Sequence, residues 1–142
     1  MQDKVEVYGM GGKVDLTFPQ ALERAKEALK SEGFGVLCEI DVQATLKAKL
    51  NVDRSAYVIL GACNPSLAHQ ALQAELDLGL LLPCNVVVYE DQGSVWVKAI
   101  EPGKMLSVVG NPALEPVAKQ VREKLERVLA HLAASPSSSE PT

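Results

Sequence analysis

The sequence predicts an α+β domain in which an antiparallel sheet packs against helices mainly on one face. Three observations carry that prediction. Apolar spacing switches between a period of two and a period near 3.6, in the order strand, helix, strand, short helix, strand, helix, hairpin, long helix. A hairpin signal, Asp91-Gln92-Gly93, joins two alternating runs and so demands antiparallel neighbours. The first and last helical segments each carry one apolar stripe opposite a charged face, so each covers something on one side only.

Residues Val5–Leu16 alternate loosely and read as a strand interrupted by a bend at Gly9, Gly11 and Gly12, with Lys13–Leu16 as the better half. Gly9-Met10-Gly11-Gly12 lacks the third glycine of a dinucleotide loop, and the next helix starts too late to receive a pyrophosphate. Thr17 caps the first helix and Pro19 suits its first turn. Phe18, Ala21, Leu22, Ala25 and Leu29 make its apolar face, and Gly33 ends it. Phe34–Ile40 is the second strand, with Val36 and Ile40 expected on one face and Leu37 on the other. Asp41 caps a short helix, Val42–Leu50.

Tyr57–Ala62 is almost continuously apolar and reads as a central strand covered on both faces. Asn64 caps a third helix with Pro65 at its first position, and Leu67, Ala68, Ala71, Leu72 and Leu76 line one side. Leu78–Leu82 ends at Pro83, which confines it to an edge or a loop. Asn85–Glu90 and Ser94–Ile100 form the hairpin, Glu101-Pro102-Gly103 turns the chain, and Met105–Val109 is a short extended or helical piece. Asn111-Pro112 opens the last helix, whose regular part is expected to begin only near Pro116. Its stripe is Leu114, Val117, Val121, Leu125, Val128 and Leu132.

With 142 residues, 47% of them hydrophobic, the chain suits one domain over residues 1–134 followed by a polar, disordered tail, 135–142. A net charge of −4 and an aromatic content of 4% argue against nucleic acid as a partner. There is no basic segment followed by an apolar one at the start, and no run approaches the ~18 apolar residues of a membrane helix. A cytoplasmic protein with three free thiols and no membrane partner is therefore expected.

Two Cys-Asn pairs, Cys63-Asn64 and Cys84-Asn85, flank the third helix and its apolar continuation. If their strands are neighbours, two thiols and two carboxamides meet. Cys63 and Cys84 are candidates for redox chemistry or a soft-metal site with His69 as third ligand; equally, they are small buried residues. Asn64 is explained by capping, whereas Asn85 at a strand start is free to hold a loop or face a ligand. Glu39 and Asp41 share a strand face and are candidates for ligand or cation binding, although one of them also serves as a cap.

Tyr8-Gly9-Met10, Glu32-Gly33-Phe34-Gly35-Val36-Leu37 with Glu39-Ile40-Asp41, Leu60-Gly61-Ala62-Cys63-Asn64-Pro65, Leu81-Leu82-Pro83-Cys84-Asn85-Val86-Val87 and Val109-Gly110-Asn111-Pro112 resemble the DUF302 family, over roughly Tyr8 to Leu132. The resemblance implies a TBP-like β-α-β(4)-α topology with additional short helices, often dimeric, and a family without established activity. The class name describes backbone topology and implies no DNA binding. Two positions depart from the family pattern: Cys38 stands where many members have threonine, and Glu101-Pro102 where many have Asp-Pro before a methionine.

The expected function is that of a homodimeric small-molecule-binding domain. Its candidate pocket lies near Glu39, Asp41, Cys63, Asn64, Cys84 and Asn85. The alternatives are a thiol-dependent redox or metal-binding protein using Cys63 and Cys84, and an interaction module without catalysis. The dimer follows from two-sided apolarity: helices cover one sheet face, and a second subunit is the simplest cover for the other. No cofactor and no reaction can be read from the residues.

Overall fold

A computed structural model describes residues 8–133. The expected opening of the first strand at Val5–Val7 and the expected disordered tail 135–142 lie outside the described residues. The elements are β1 (Gly9–Val14), α1 (Phe18–Ser31), β2 (Gly35–Asp41), α2 (Val42–Leu50), β3 (Tyr57–Cys63), α3 (Pro65–Ala74), β4 (Cys84–Asp91), β5 (Ser94–Ile100), α4 (Pro102–Ser107) and α5 (Glu115–Ala133). Short 3-10 turns occupy Leu76–Leu81 and Pro112–Leu114. All five strands form one antiparallel sheet in the order β1-β5-β4-β3-β2. The α+β class with an antiparallel sheet is thus borne out.

Local chemistry sets the boundaries. The Thr17 hydroxyl accepts from the Gln20 amide while the Gln20 side chain accepts from the Thr17 amide, a reciprocal cap on α1. Asp41 caps α2 by accepting from the Ala44 amide at 2.9 Å, and Asn51 in the left-handed region closes it. Asn111 accepts from the Ala113 amide, and regular α5 begins at Glu115, just before Pro116.

One sheet face carries Val58, Leu60 and Ala62 of β3, Val86 and Val88 of β4, and Val95, Val97 and Ala99 of β5, all buried. Ala21, Ala25 and Leu29 of α1 and Val121, Leu125 and Val128 of α5 close over it. These are the two stripes expected from the sequence, and their burial supplies the main favourable term in folding. No described helix is long and apolar enough to cross a membrane.

Several expectations are corrected. The glycines do not interrupt the strand: Gly9–Val14 is β1 itself, and it ends before Leu16. A residue without a side chain is needed where β1 approaches β5, since a Cβ on Gly11 would lie 2.3 Å from the Val97 carbonyl oxygen. A bulge between Val36 and Cys38 puts Val36 opposite Ala62 and Ile40 opposite Ile59, so these two residues lie on different faces. The hairpin turn has two residues, because Asp91 pairs with Ser94 and both Gln92 and Gly93 have positive φ. Leu76 projects from the core at 83% exposure, since α3 ends before it at Ala74. Of the two forms left open for Met105–Val109, extended or helical, Met105 takes the helical one, in α4.

Candidate functional site

The antiparallel pairing of β3 with β4 sets Ala62 opposite Cys84, which brings the two Cys-Asn pairs to one end of the sheet. Cys63, Asn64 and Cys84 line one cavity there with Phe34, Leu67 and Pro83. Its volume is about 40 Å³, whereas a small-molecule pocket occupies about 300–1,000 Å³. The space suits about one water. Asn64 is occupied structurally: its Oδ1 accepts from the Leu67 amide at 3.3 Å and its Nδ2 donates to the Glu32 carbonyl at 3.5 Å.

The remaining sequence candidates are placed elsewhere. Asn85 lies opposite Gly61, on the other sheet face from Cys84, and is exposed. His69 is on the exposed side of α3 and does not line the cavity. Among the described residues no three His, Cys, Asp or Glu side chains come together as a metal site. Glu39 and Asp41 do share a face, opposite Leu60 and Val58. Glu39, however, pairs with Lys26 at 2.8 Å, and Asp41 is the α2 cap. The hydrogen bond to Glu39 holds the Lys26 pKa above its ordinary value.

Burial, reinforced by the neighbouring Cys63, pushes the Cys84 thiol up to about 11. Only thiolates alkylate readily, so Cys84 in the native protein is expected to resist iodoacetamide at pH 8 while exposed Cys38 reacts. Residue-resolved mass spectrometry of alkylated native protein measures this. Labelling of Cys84 as fast as Cys38 would contradict the burial argument.

A larger concavity lies between α4 and α5, with a volume of about 490 Å³. Leu106, Leu114 and Ala118 supply its apolar surface, and Glu101, Glu115, Lys119 and Arg122 its charge. Glu101 is buried at 9% exposure, which a carboxylate tolerates only with strong partners. It has three. The Lys104 amide donates to Oε1 at 2.8 Å, the Gly103 amide donates to Oε2 at 3.3 Å, and Arg122 Nη1 lies 3.4 Å from Oε2. Glu101 therefore caps α4 and ties it to α5. In the sequence Glu101-Pro102-Gly103 reads as a turn and as a departure from the family pattern, without a cap being assigned. The available signal was a polar residue before proline, the same pattern that marked Asn64-Pro65 and Asn111-Pro112.

Among the described residues, no residue of the second sheet face belongs to the buried core. Ile40, Ile59 and Val87 form one cross-strand row, and Tyr57, Tyr89 and Trp96 the next. The Tyr57 and Tyr89 rings stack at 5.2 Å and the Tyr89 and Trp96 rings at 6.4 Å. Arg54 lies over Tyr57, and Lys98 over Tyr89 and Trp96. Ile40 and Leu37 are 45% and 67% exposed. Antiparallel sheets with one solvated face place polar residues there; this face carries Lys13, Asn85 and Lys98, yet its central rows are apolar and aromatic.

A family profile described as "Domain of unknown function DUF302" matches residues 11–132. Among solved structures the chain is similar to the "uncharacterized conserved protein DUF302 from Bacillus stearothermophilus". The identity is 32%, the TM-score 0.82, and the match covers 87% of this chain and 97% of that one. No curated protein matches.

Proposed function

The chain belongs to the DUF302 family, and from that premise we propose that it is a homodimeric binding domain whose two copies pack through their open sheet faces. The observation that carries the dimer is the outward row of Ile40, Ile59 and Val87 beside the ring ladder. With strands about 4.8 Å apart and residues about 3.3 Å apart, five strands of this length offer a flat area of about 550 Å². Side-chain relief brings that to the scale of the roughly 800 Å² per partner of a standard interface.

The ring ladder does not suit nucleic acid. The rings stack on one another and on Arg54 and Lys98, so few faces remain for bases. Thiol chemistry gains no support either, because Cys84 is held protonated near neutrality. Ligand binding is better served by the α4–α5 groove than by the small cysteine cavity, because only the former of the two has the volume of a ligand site.

Light scattering with size exclusion, run across a concentration series, tests the dimer. The wild type is expected to show the mass of two chains, and Val87→Glu the mass of one with unchanged far-ultraviolet dichroism. A charge at the centre of an apolar interface leaves a desolvated, unpaired group on each copy. A wild-type mass of one chain at every concentration would overturn the dimer.

A further inference from the structure

We infer that the α4–α5 groove binds an amphipathic monocarboxylate, with Lys119 and Arg122 holding the anionic head and Leu106, Leu114 and Ala118 receiving the apolar body. The inference rests on the reading of this protein as a small-molecule binder and is independent of its dimerisation.

Lys119 and Arg122 are three residues apart on α5, hence neighbours on one helix face, and both line the groove. Their existing partners differ in kind. Lys119 Nζ meets Glu123 at 3.0 Å and Arg122 Nε meets Glu126 at 3.1 Å, both solvent-exposed pairs within one helix. Such pairs are weak and are readily exchanged for a ligand carboxylate. Arg122 Nη1 instead meets the buried Glu101, which is itself held by two backbone amides. That contact pre-positions the guanidinium at the groove, and an ordered arginine suits a planar carboxylate.

The negative groups set the ligand's charge. Glu101 is committed to its amide donors and Arg122, so it offers nothing to a cationic ligand. Glu115 also lines the groove, one turn before Lys119. With two acidic and two basic side chains the lining carries no net charge, which disfavours nucleotides and other polyanions. The apolar surface beside the cations gives the rest of the molecule a place to leave water.

The test uses octanoate, octylamine and octanol as probes, followed by amide chemical shifts of the full chain in nitrogen–proton spectra. Octanoate is expected to give saturable shifts at Gly103, Ser107, Gly110 and Ala118, with octylamine and octanol each about tenfold weaker or more. Lys119→Gln and Arg122→Gln are each expected to weaken octanoate about tenfold. Lys119→Gln leaves the Glu101–Arg122 contact in place, so its effect reports charge rather than folding. Equal binding of octanol in the groove would overturn the carboxylate while keeping a ligand site. Octanoate shifts confined to Ile59 and Val87 on the open sheet, or unchanged affinity in Lys119→Gln, would overturn the site. None of these outcomes bears on the mass that tests the dimer.

Discussion

Gly11→Ala is expected to destabilise the domain by about 3 kcal/mol or more, through backbone strain combined with overpacking. Gly11 has φ +111, a conformation that residues with side chains rarely adopt. A Cβ there would lie 2.3 Å from the Val97 carbonyl oxygen, 3.0 Å from Lys98 Cα and 3.3 Å from Leu129 Cδ2. Two of those atoms are backbone of β5 and cannot swing aside as a side-chain tip can. Relief requires β1 to lift from β5, which breaks pairing at Gly9–Val14 and uncovers Leu129. Gly12 supplies the control, because a Cβ there meets nothing within 4 Å. Gly12→Ala is expected to stay within about 1 kcal/mol of the wild type. Urea unfolding of both variants measures the difference, and equal midpoints would refute the close-approach account.

The second large effect is expected at Glu101. Glu101→Ala should cost about 2–4 kcal/mol, since it removes two charge-assisted hydrogen bonds at the start of α4 and leaves Arg122 without its buried partner. Glutamate is a less usual cap than aspartate because its carboxylate must fold back over the first turn. Gly103 leaves room for that path: a Cβ there would lie 3.2 Å from Oε1. Glu101→Gln keeps one acceptor and loses the charge, so it should fall between the alanine variant and the wild type. Hydrogen exchange at the Gly103 and Lys104 amides separates this cause from general destabilisation. Those amides should lose protection selectively in Glu101→Ala, and uniform loss across α1 and α5 would count against the cap. Leu106 lines both the groove and the cysteine cavity, so loosening α4 disturbs both spaces together.

Much of the fold was legible because its signals are local. Asp41 reaches an amide three residues on, so the bounds of α2 follow from the adjacent sequence. The stripes of α1 and α5 repeat at a period that only a helix satisfies. The neighbourhood of the Cys-Asn pairs also followed from simple strand pairing. What stayed hidden depends on distant residues. The bulge at Leu37-Cys38 exists only relative to Gly61 and Ala62 across the sheet. The cysteine cavity is small because Phe34, Leu67 and Leu78 fill its surroundings, which spacing around the cysteines does not reveal. Glu101 gains its role from burial and from Arg122 on another helix, whereas its local sequence shows a turn.

The position of β1 also sets an order on synthesis. Strands β2 to β5 form a meander in which each pairs with the next in sequence, so they can zip as they emerge. Of the described strands, the first made is paired by the last, with Val14 facing Val95 and Gly9 facing Ile100. During translation β1 therefore waits while the exposed edge of its future partner does not yet exist. Having few side chains to aggregate through, a glycine-rich strand is well suited to that delay, and β2, the opposite edge, is guarded by its bulge.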